Sequence, residues 1–198
     1  MNRGDPIVVA VDVDGVTADL YTELFRMYNE DFNDNKTYQT AMREYESETW
    51  DLKPECKDIE AYFDRANLYD NVLPMPGALE GIKYLREEGY RVVFNSSCFI
   101  NRSDDKLRWL FEHGFLKPAK RLVRDWIVVP DKSLIHANIM IDDRPKNIYK
   151  FNGVGIIFDQ PYNKRAIAEA RLRGWTDIER VMSNLYPTLC ESVYGDDD

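Results

Sequence analysis

With 198 residues, 44% of them hydrophobic and 31% charged, the chain has enough apolar sequence for one sizeable core and an attached subdomain. Its formal charge of −9 excludes a general polyanion surface, because duplex binding relies on a net basic face that releases counterions. A small anionic substrate in a locally compensated pocket fits that charge, and duplex nucleic acid does not.

In chain order, MNRGDP leads directly into IVVAVDVD (7 to 14), a nearly unbroken apolar run. Such runs are strands of a parallel sheet with helices on both faces. Residues 20 to 73 hold no convincing strand. They contain an amphipathic helix, LYTELFRMYNEDF, a second helical segment, DIEAYFDRANLY, and the aromatics Tyr21, Phe25, Tyr28, Phe32, Tyr38, Tyr45, Trp50, Tyr62, Phe63 and Tyr69. This insertion reads as a small helical cap over the carboxyl edge of a core formed by 1–19 and 74–198, and most of its aromatics are expected to be its own core. ALEGIKYLREEG (78 to 89) predicts a helix with Leu79, Ile82 and Leu85 on one stripe and a glycine at its end. RVVFNSS (91 to 97) is a second strand, and SDDKLRWLFEHG (103 to 114) a helix opened by a capping serine.

RDWIVVP (124 to 130), NIMIDD (138 to 143) and VGIIFD (154 to 159) complete five predicted strands. NKRAIAEARLRG (163 to 174) reads as a solvated basic helix, and TDIERVMSNLY (176 to 186) as a helix opened by the capping box Thr176 and Glu179. The terminal GDDD is a solvated tail. Strands alternating with helices at this spacing predict an α/β fold with a Rossmann-like parallel sheet. Cys56, Cys98 and Cys190 are odd in number and form no CxxC pair, so neither a disulfide framework nor a zinc site is expected and a reducing, cytoplasmic setting fits. No run approaches the roughly 18 apolar residues of a membrane span, and no secretion signal or anchor is expected.

Ligands of open parallel sheets bind outside the carboxyl ends of the strands. Polar residues collect at those ends: Asp12 and Asp14, then Asn95, Ser96 and Ser97, then Asp142 and Asp143. Residues i and i+2 of a strand share a face, so Asp12 and Asp14 can address one site. Several carboxylates converging there would repel one another, and a hard cation such as magnesium removes the difficulty. A carboxylate is also ionised at neutral pH and can attack phosphorus without a general base, provided a cation and hydroxyl donors offset its repulsion from the phosphate.

These residues resemble a known family. DVDGVTAD looks like the first motif of the haloacid dehalogenase superfamily of aspartate-nucleophile phosphatases, FNSS its second, Lys132 its third and IDDRP its fourth. DxDGVxAD, LPMPGA (73 to 78) and DKSLIHANIMIDDRP are similar, more closely, to the 5'(3')-deoxyribonucleotidases of the cytosolic type C group. The resemblance covers roughly residues 7 to 146. It implies a magnesium-dependent nucleoside monophosphate phosphatase, with pyrimidine deoxyribonucleotides as expected substrates. Asp12 would form the aspartyl-phosphate, and Asp14 would protonate the leaving oxygen and then activate water. Ser96, Ser97 and Lys132 would hold the phosphate. Asp12, Asp14 through its carbonyl, and Asp143 would bind the metal, with Asp142 in support. Arg144 is expected near the nucleotide, and Phe63 and Trp50 against the base. Leu20 and Pro130 depart from the family's aromatic and arginine, which bears on the base preferred.

Bland readings stand beside each signal. Asp12, Asp14 and Gly15 alone could form an Asx-turn. Asp142 and Asp143 before Arg144 and Pro145 could simply open a helix. Only motif spacing selects Lys132 over Lys117 or Lys120. The rival functions are a phosphatase for another small ester such as a sugar phosphate, and an idle nucleotide-binding protein on the same fold. A homodimer is compatible with the chain.

Overall fold

The first strand, β1 (Val8–Asp12), is buried along nearly its whole length, which a chain achieves only when both faces of the sheet are covered. The computed structural model describes residues 6–97, 102–117 and 123–194, with the side chains of residues 188 and 190–194 outside that description. The remaining elements are α1 (Leu20–Phe32), α2 (Tyr38–Ala41), α3 (Ala78–Glu87), β2 (Arg91–Ser96), α4 (Ser103–Glu112), β3 (Trp126–Val128), β4 (Ile139–Asp142), α5 (Pro145–Lys150), β5 (Val154–Phe158), β6 (Ala170–Leu172) and α6 (Ile178–Tyr194). All strand pairs are parallel, in the order β3-β2-β1-β4-β5-β6. The expected Rossmann-like α/β architecture is therefore present. Its topological switch lies at β1, flanked by β2 and β4, which directs ligands to the carboxyl end of β1.

Side-chain alternation divides the core into two layers. Val9, Val11, Phe94, Ile139, Ile141 and Ile156 join α1, α3, α4 and α6 in the larger layer. Ala10, Met140 and Ile157 face the opposite way, toward Ile148 of α5 and the Ile135 to Ala137 loop. In the register, Asp12 lies opposite Asn95 and Val11 opposite Ile141, so the polar ends of β1, β2 and β4 terminate side by side.

Several local expectations change. Residues 163–174 form no helix: after a single turn at Pro161–Asn163 the chain extends into β6, a sixth strand. Arg171 is held there by Asp159 at 2.7 Å and by the carbonyls of Asn163 and Ala166, and Leu172 is fully buried. Pairing with β5 and this arginine clamp override the helix propensity of the alanines. In 58–69 only Glu60–Asp64 forms a single 3-10 turn, because its aromatics pack into neighbouring elements. In α3 the buried stripe is Ala78, Gly81, Ile82 and Leu85, with Leu79 40% exposed. Gly81 is needed where Trp175 crosses, since a Cβ would lie 2.5 Å from the indole. Ser103 is the first residue of α4 and Arg102 its cap, with no side-chain capping bond. The last helix follows a 3-10 turn at Trp175–Asp177 and continues through Pro187. Gly89 and Gly114 adopt φ of 86° and 77° where α3 and α4 end, as expected of glycine there.

Cys56 is free and half-buried, whereas Cys98, Lys120, the side chain of Cys190 and the terminal GDDD lie outside the described residues. Among the described residues no helix is long and apolar enough to cross a membrane.

Candidate active site

The carboxyl ends of β1, β2 and β4 enclose a pocket of about 40 Å³ lined by Asp12, Asp14, Ser96, Ser97, Lys132, Asp143 and Arg144, together with Tyr21, Tyr45 and Asn147. It is continuous through shared residues with a larger lobe of about 340 Å³, whose wall includes Leu20, Glu60, Phe63, Leu68, Tyr69, Arg102 and Lys106. Of the residues predicted from sequence, all but Asp142, Phe63 and Trp50 line the smaller pocket. Phe63 lines the lobe. Asp142 is fully buried behind the pocket. Trp50 lines neither space; its ring packs 5.8 Å from Phe25 and 6.3 Å from Tyr21, and its Nε1 donates to the Glu44 carbonyl.

Asp12 ends β1 with its Oδ1 accepting the Val13 amide, while its main-chain carbonyl accepts the Thr17 hydroxyl. The chain then turns at Gly15, φ 74°, where a Cβ would lie 2.6 Å from Asp143 Oδ2. Positive φ and this close approach both demand glycine. Buried amides fasten the loops: Gln160 donates to the Gly15 carbonyl, and Asn163 to the carbonyls of Asp143 and Phe158.

Lys132 is 2% exposed and its ammonium lies 2.7 Å from both Asp12 Oδ1 and Asp142 Oδ2. Burial alone would lower its pKa, but the two carboxylates more than offset that and hold it above the usual lysine range. Geometry now separates it from Lys117, which lines a separate groove with Arg86. The neighbouring aspartates at 142 and 143 differ sharply. Asp142 receives Lys132, the Arg144 amide and the Asn147 side chain, so both its oxygens are satisfied. The cap of the helix opened by Pro145 is Arg144, with no side-chain capping bond, so Asp142 fixes the turn before that helix and does not cap it. Asp143 receives Tyr162 on Oδ2, but its buried Oδ1 has no partner among the described residues.

Burial pushes the Asp12 carboxyl up to about 7, with Lys132 opposing and Asp142 and Asp14 adding repulsion. Asp143 is raised as well, chiefly by burial and then by Asp142 and Asp12. One oxygen from each of Asp12, Asp142 and Asp143 lies within 4.8 Å of the others. An orphaned buried carboxylate oxygen beside a second crowded carboxylate is the environment a hard cation relieves, so the donor set fits a divalent oxygen-seeking ion.

Sequence reasoning missed four groups here. Lys106 donates to Ser96 Oγ at 2.8 Å and pairs with Asp14. Tyr69 donates to the other Asp14 oxygen. Tyr45 packs under the Arg144 guanidinium, 4.0 Å from ring centre to Cζ, and Asn147 braces Asp142. Asn147 had a signal, since it stands in the first turn after the acidic pair; Lys106, mid-helix among other charges, had none.

A family model described as 5' nucleotidase, deoxy (pyrimidine), cytosolic type C protein matches residues 5–186. The chain is 29% identical over 180 residues to a 5'(3')-deoxyribonucleotidase of Bacillus subtilis strain 168, covering 87% of this chain and 96% of that one. It is 27% identical to a 5'(3')-deoxyribonucleotidase of Clostridium acetobutylicum, covering 93% and 95%. Among solved structures, a HAD family hydrolase from Deinococcus radiodurans R1 with bound phosphate and sodium aligns with TM-score 0.56 at 13% identity, over 93% of this chain and 97% of that one. A putative β-phosphoglucomutase from Thermotoga maritima aligns with TM-score 0.55 at 15% identity, over 90% and 99%. These two speak for the fold. The chain belongs to the 5' nucleotidase, deoxy (pyrimidine), cytosolic type C family and is a phosphoric monoester hydrolase of haloacid dehalogenase fold.

Proposed function

We propose that the enzyme hydrolyses nucleoside monophosphates, with pyrimidine deoxyribonucleotides as the preferred class, through an aspartyl-phosphate on Asp12. The observation that carries this reading is the pairing of two differently used acids at one strand end. Asp12 is buried against Lys132 at 2.7 Å, while Asp14, partly exposed, faces both the small pocket and the larger lobe. Asp12 Oδ2 is the atom left to attack, since Oδ1 accepts both the Val13 amide and Lys132. Asp14, which lines both spaces, would serve as proton donor to the leaving oxygen and later as base for water.

Asp143, Asp12 and the Asp14 carbonyl would hold magnesium, with Asp142 in support through Lys132 and Asn147. When bound, the cation offsets the repulsion between the Asp12 carboxylate and a phosphate dianion. Ser96 and Ser97 would donate to phosphate oxygens, and Lys132 would both orient Asp12 and compensate its charge. The lobe, lined by the apolar Phe63, Leu20 and Leu68 and by Arg144, suits a flat base. Residues 20–73 act as the cap that supplies this apolar lining, over a core of 1–19 and 74–198.

The test is phosphate release from a panel of pyrimidine and purine deoxyribonucleotides, ribonucleotides and sugar phosphates, with magnesium and with a chelator. Magnesium-dependent release, fastest for pyrimidine deoxyribonucleotides, is expected. Equal release from sugar phosphates would overturn the substrate assignment, and release undiminished by chelator would overturn the metal.

A further inference from the structure

Residues 102, 106 and 109 of the α4 region are spaced by four and three, which places them on one helical face. That face grips the chain segment returning from the cap stretch. Arg102 donates to the Asp64 carbonyl and Trp109 Nε1 to the Val72 carbonyl at 2.8 Å. Between them stands Lys106, 5% exposed, donating to Ser96 Oγ and to Asp14 Oδ2. A buried ammonium persists only where such partners compensate its desolvation. Lys132 already supplies the cation that Asp12 and Asp142 require, so the nucleophile has no need of Lys106.

Its partners define another task. Tyr69 donates to Asp14 Oδ1 while Lys106 holds Oδ2, so the carboxylate is gripped at both oxygens from two separate elements. The Tyr69 ring meets Trp109 edge-on with centres 6.4 Å apart, which ties that grip back to the same helix face. Ser96, at the other end of Lys106, is a hydroxyl of the small pocket.

We propose that Lys106, together with Tyr69, is a positioning residue that fixes the Asp14 carboxylate toward the leaving-group oxygen and registers it against Ser96. This rests on Asp14 being the proton donor of the phosphatase reading. Misplacing a proton donor slows the first step, read in kcat/KM, far more for poor leaving groups than for good ones, because a good leaving group departs without protonation, whereas the later water step that Asp14 serves as base is shared by both substrates. On the nucleotide the loss falls in kcat more than in KM, because Lys106 and Tyr69, though they line the lobe, spend their polar groups on Asp14 and Ser96.

The experiment compares wild type, Lys106→Met, Tyr69→Phe and Asp12→Asn on a nucleoside 5'-monophosphate and on p-nitrophenyl phosphate, each variant first checked for folding by thermal melting. Met retains the length of the lysine stem. General acid and base catalysis contributes about 10²- to 10⁴-fold, so a displaced donor should cost kcat/KM on the nucleotide about 10- to 100-fold, carried by kcat, with a far smaller loss of kcat/KM on p-nitrophenyl phosphate. Equal losses of kcat/KM on both substrates, a rise in KM alone, or wild-type behaviour would each overturn the assignment. If Lys106→Met does not fold, Tyr69→Phe decides by the same leaving-group signature, and its absence there overturns the proposal. Survival of turnover in Asp12→Asn would instead overturn the phosphatase reading, whereas loss in Asp12→Asn beside wild-type kinetics in Lys106→Met overturns the role of Lys106 alone.

Discussion

The strand ends and the stretch from residue 20 to residue 73 wall the same cavity by different physical means. At the strand ends Asp12, Ser96 and Asp142 stand on backbone locked in the parallel ladder, and buried ionic bonds of 2.7 Å tie Lys132, on the turn Lys132–Leu134, to Asp12 and to Asp142. Across the cavity the chain runs through α1, α2 and two short 3-10 turns, and its order comes from ring packing among Tyr21, Phe25, Tyr28 and Trp50. Removing one partner of such a buried ionic cluster is costly, whereas ring packing tolerates exchanges of similar volume. On the proposed function, chemistry falls mainly to the first wall and choice of substrate mainly to the second, with Tyr69 the member of the second that reaches Asp14. Each prediction below breaks or sharpens that division.

The largest effect is expected at the nucleophile. Asp12→Asn keeps the shape of the side chain and should lower turnover by about 10⁴-fold or more, as removal of a covalent nucleophile does. Rapid quench with labelled substrate should trap phosphoprotein in wild type and none in the variant. Activity near wild type would remove Asp12 from the mechanism.

The two adjacent aspartates should part company next. Asp142→Asn leaves buried Lys132 short of a counter-charge, and breaking a buried pair typically costs about 3–5 kcal/mol. Asp143→Asn removes a charge whose Oδ1 has no partner, so the metal-free protein should melt no lower than wild type, while its magnesium requirement rises steeply. Melting curves without metal, set beside magnesium titrations, separate the two. A larger stability loss in Asp143→Asn would exchange their roles.

That contrast also shows what the sequence could reveal. Strand ends were legible because an apolar run ending in Asp12 and Asp14, or in Asp142 and Asp143, has no polar alternative nearby and the sheet order brings such ends together. The unequal duties of 142 and 143 were visible only as motif register; their hydrogen bonds come from Lys132 and Asn147, elsewhere in the chain. Lys106 was hidden for the same reason, as one charge among several on a helix whose orientation the sequence does not state. Strand β6 was misread because Ala166, Ala168 and Ala170 carry helix propensity, while the pairing with β5 and the Asp159–Arg171 contact that extend the chain are tertiary. In 20–73 a helical spacing was read over 58–69 where side-chain packing leaves a single turn.

The second wall can be tested by substrate choice. Phe63 lines the lobe and is half-buried, in position to meet a base. Stacking on a base is worth about 1–3 kcal/mol, so Phe63→Ala should raise KM for a nucleotide about tenfold while barely altering hydrolysis of a small alkyl phosphate. Equal change on both substrates would place Phe63 in the packing of the wall.

Trp50 should give the smallest effect, and its pattern is the one that separates packing from recognition within a single segment. The sequence set it beside Phe63 as a base contact, yet its ring lies 5.8 Å from Phe25 and 6.3 Å from Tyr21, 8% exposed and away from the lobe. Trp50→Phe keeps an aromatic in that cluster and removes the Nε1 donor to the Glu44 carbonyl, a bond of 3.2 Å. A hydrogen bond of this kind contributes about 0.5–1.5 kcal/mol net, and the smaller ring adds a modest packing loss. Denaturant unfolding should therefore register a small drop in stability, with KM for nucleotide unmoved. A rise in KM without loss of stability would return Trp50 to the base and mean that the 20–73 stretch closes over its substrate further than this arrangement of its rings shows.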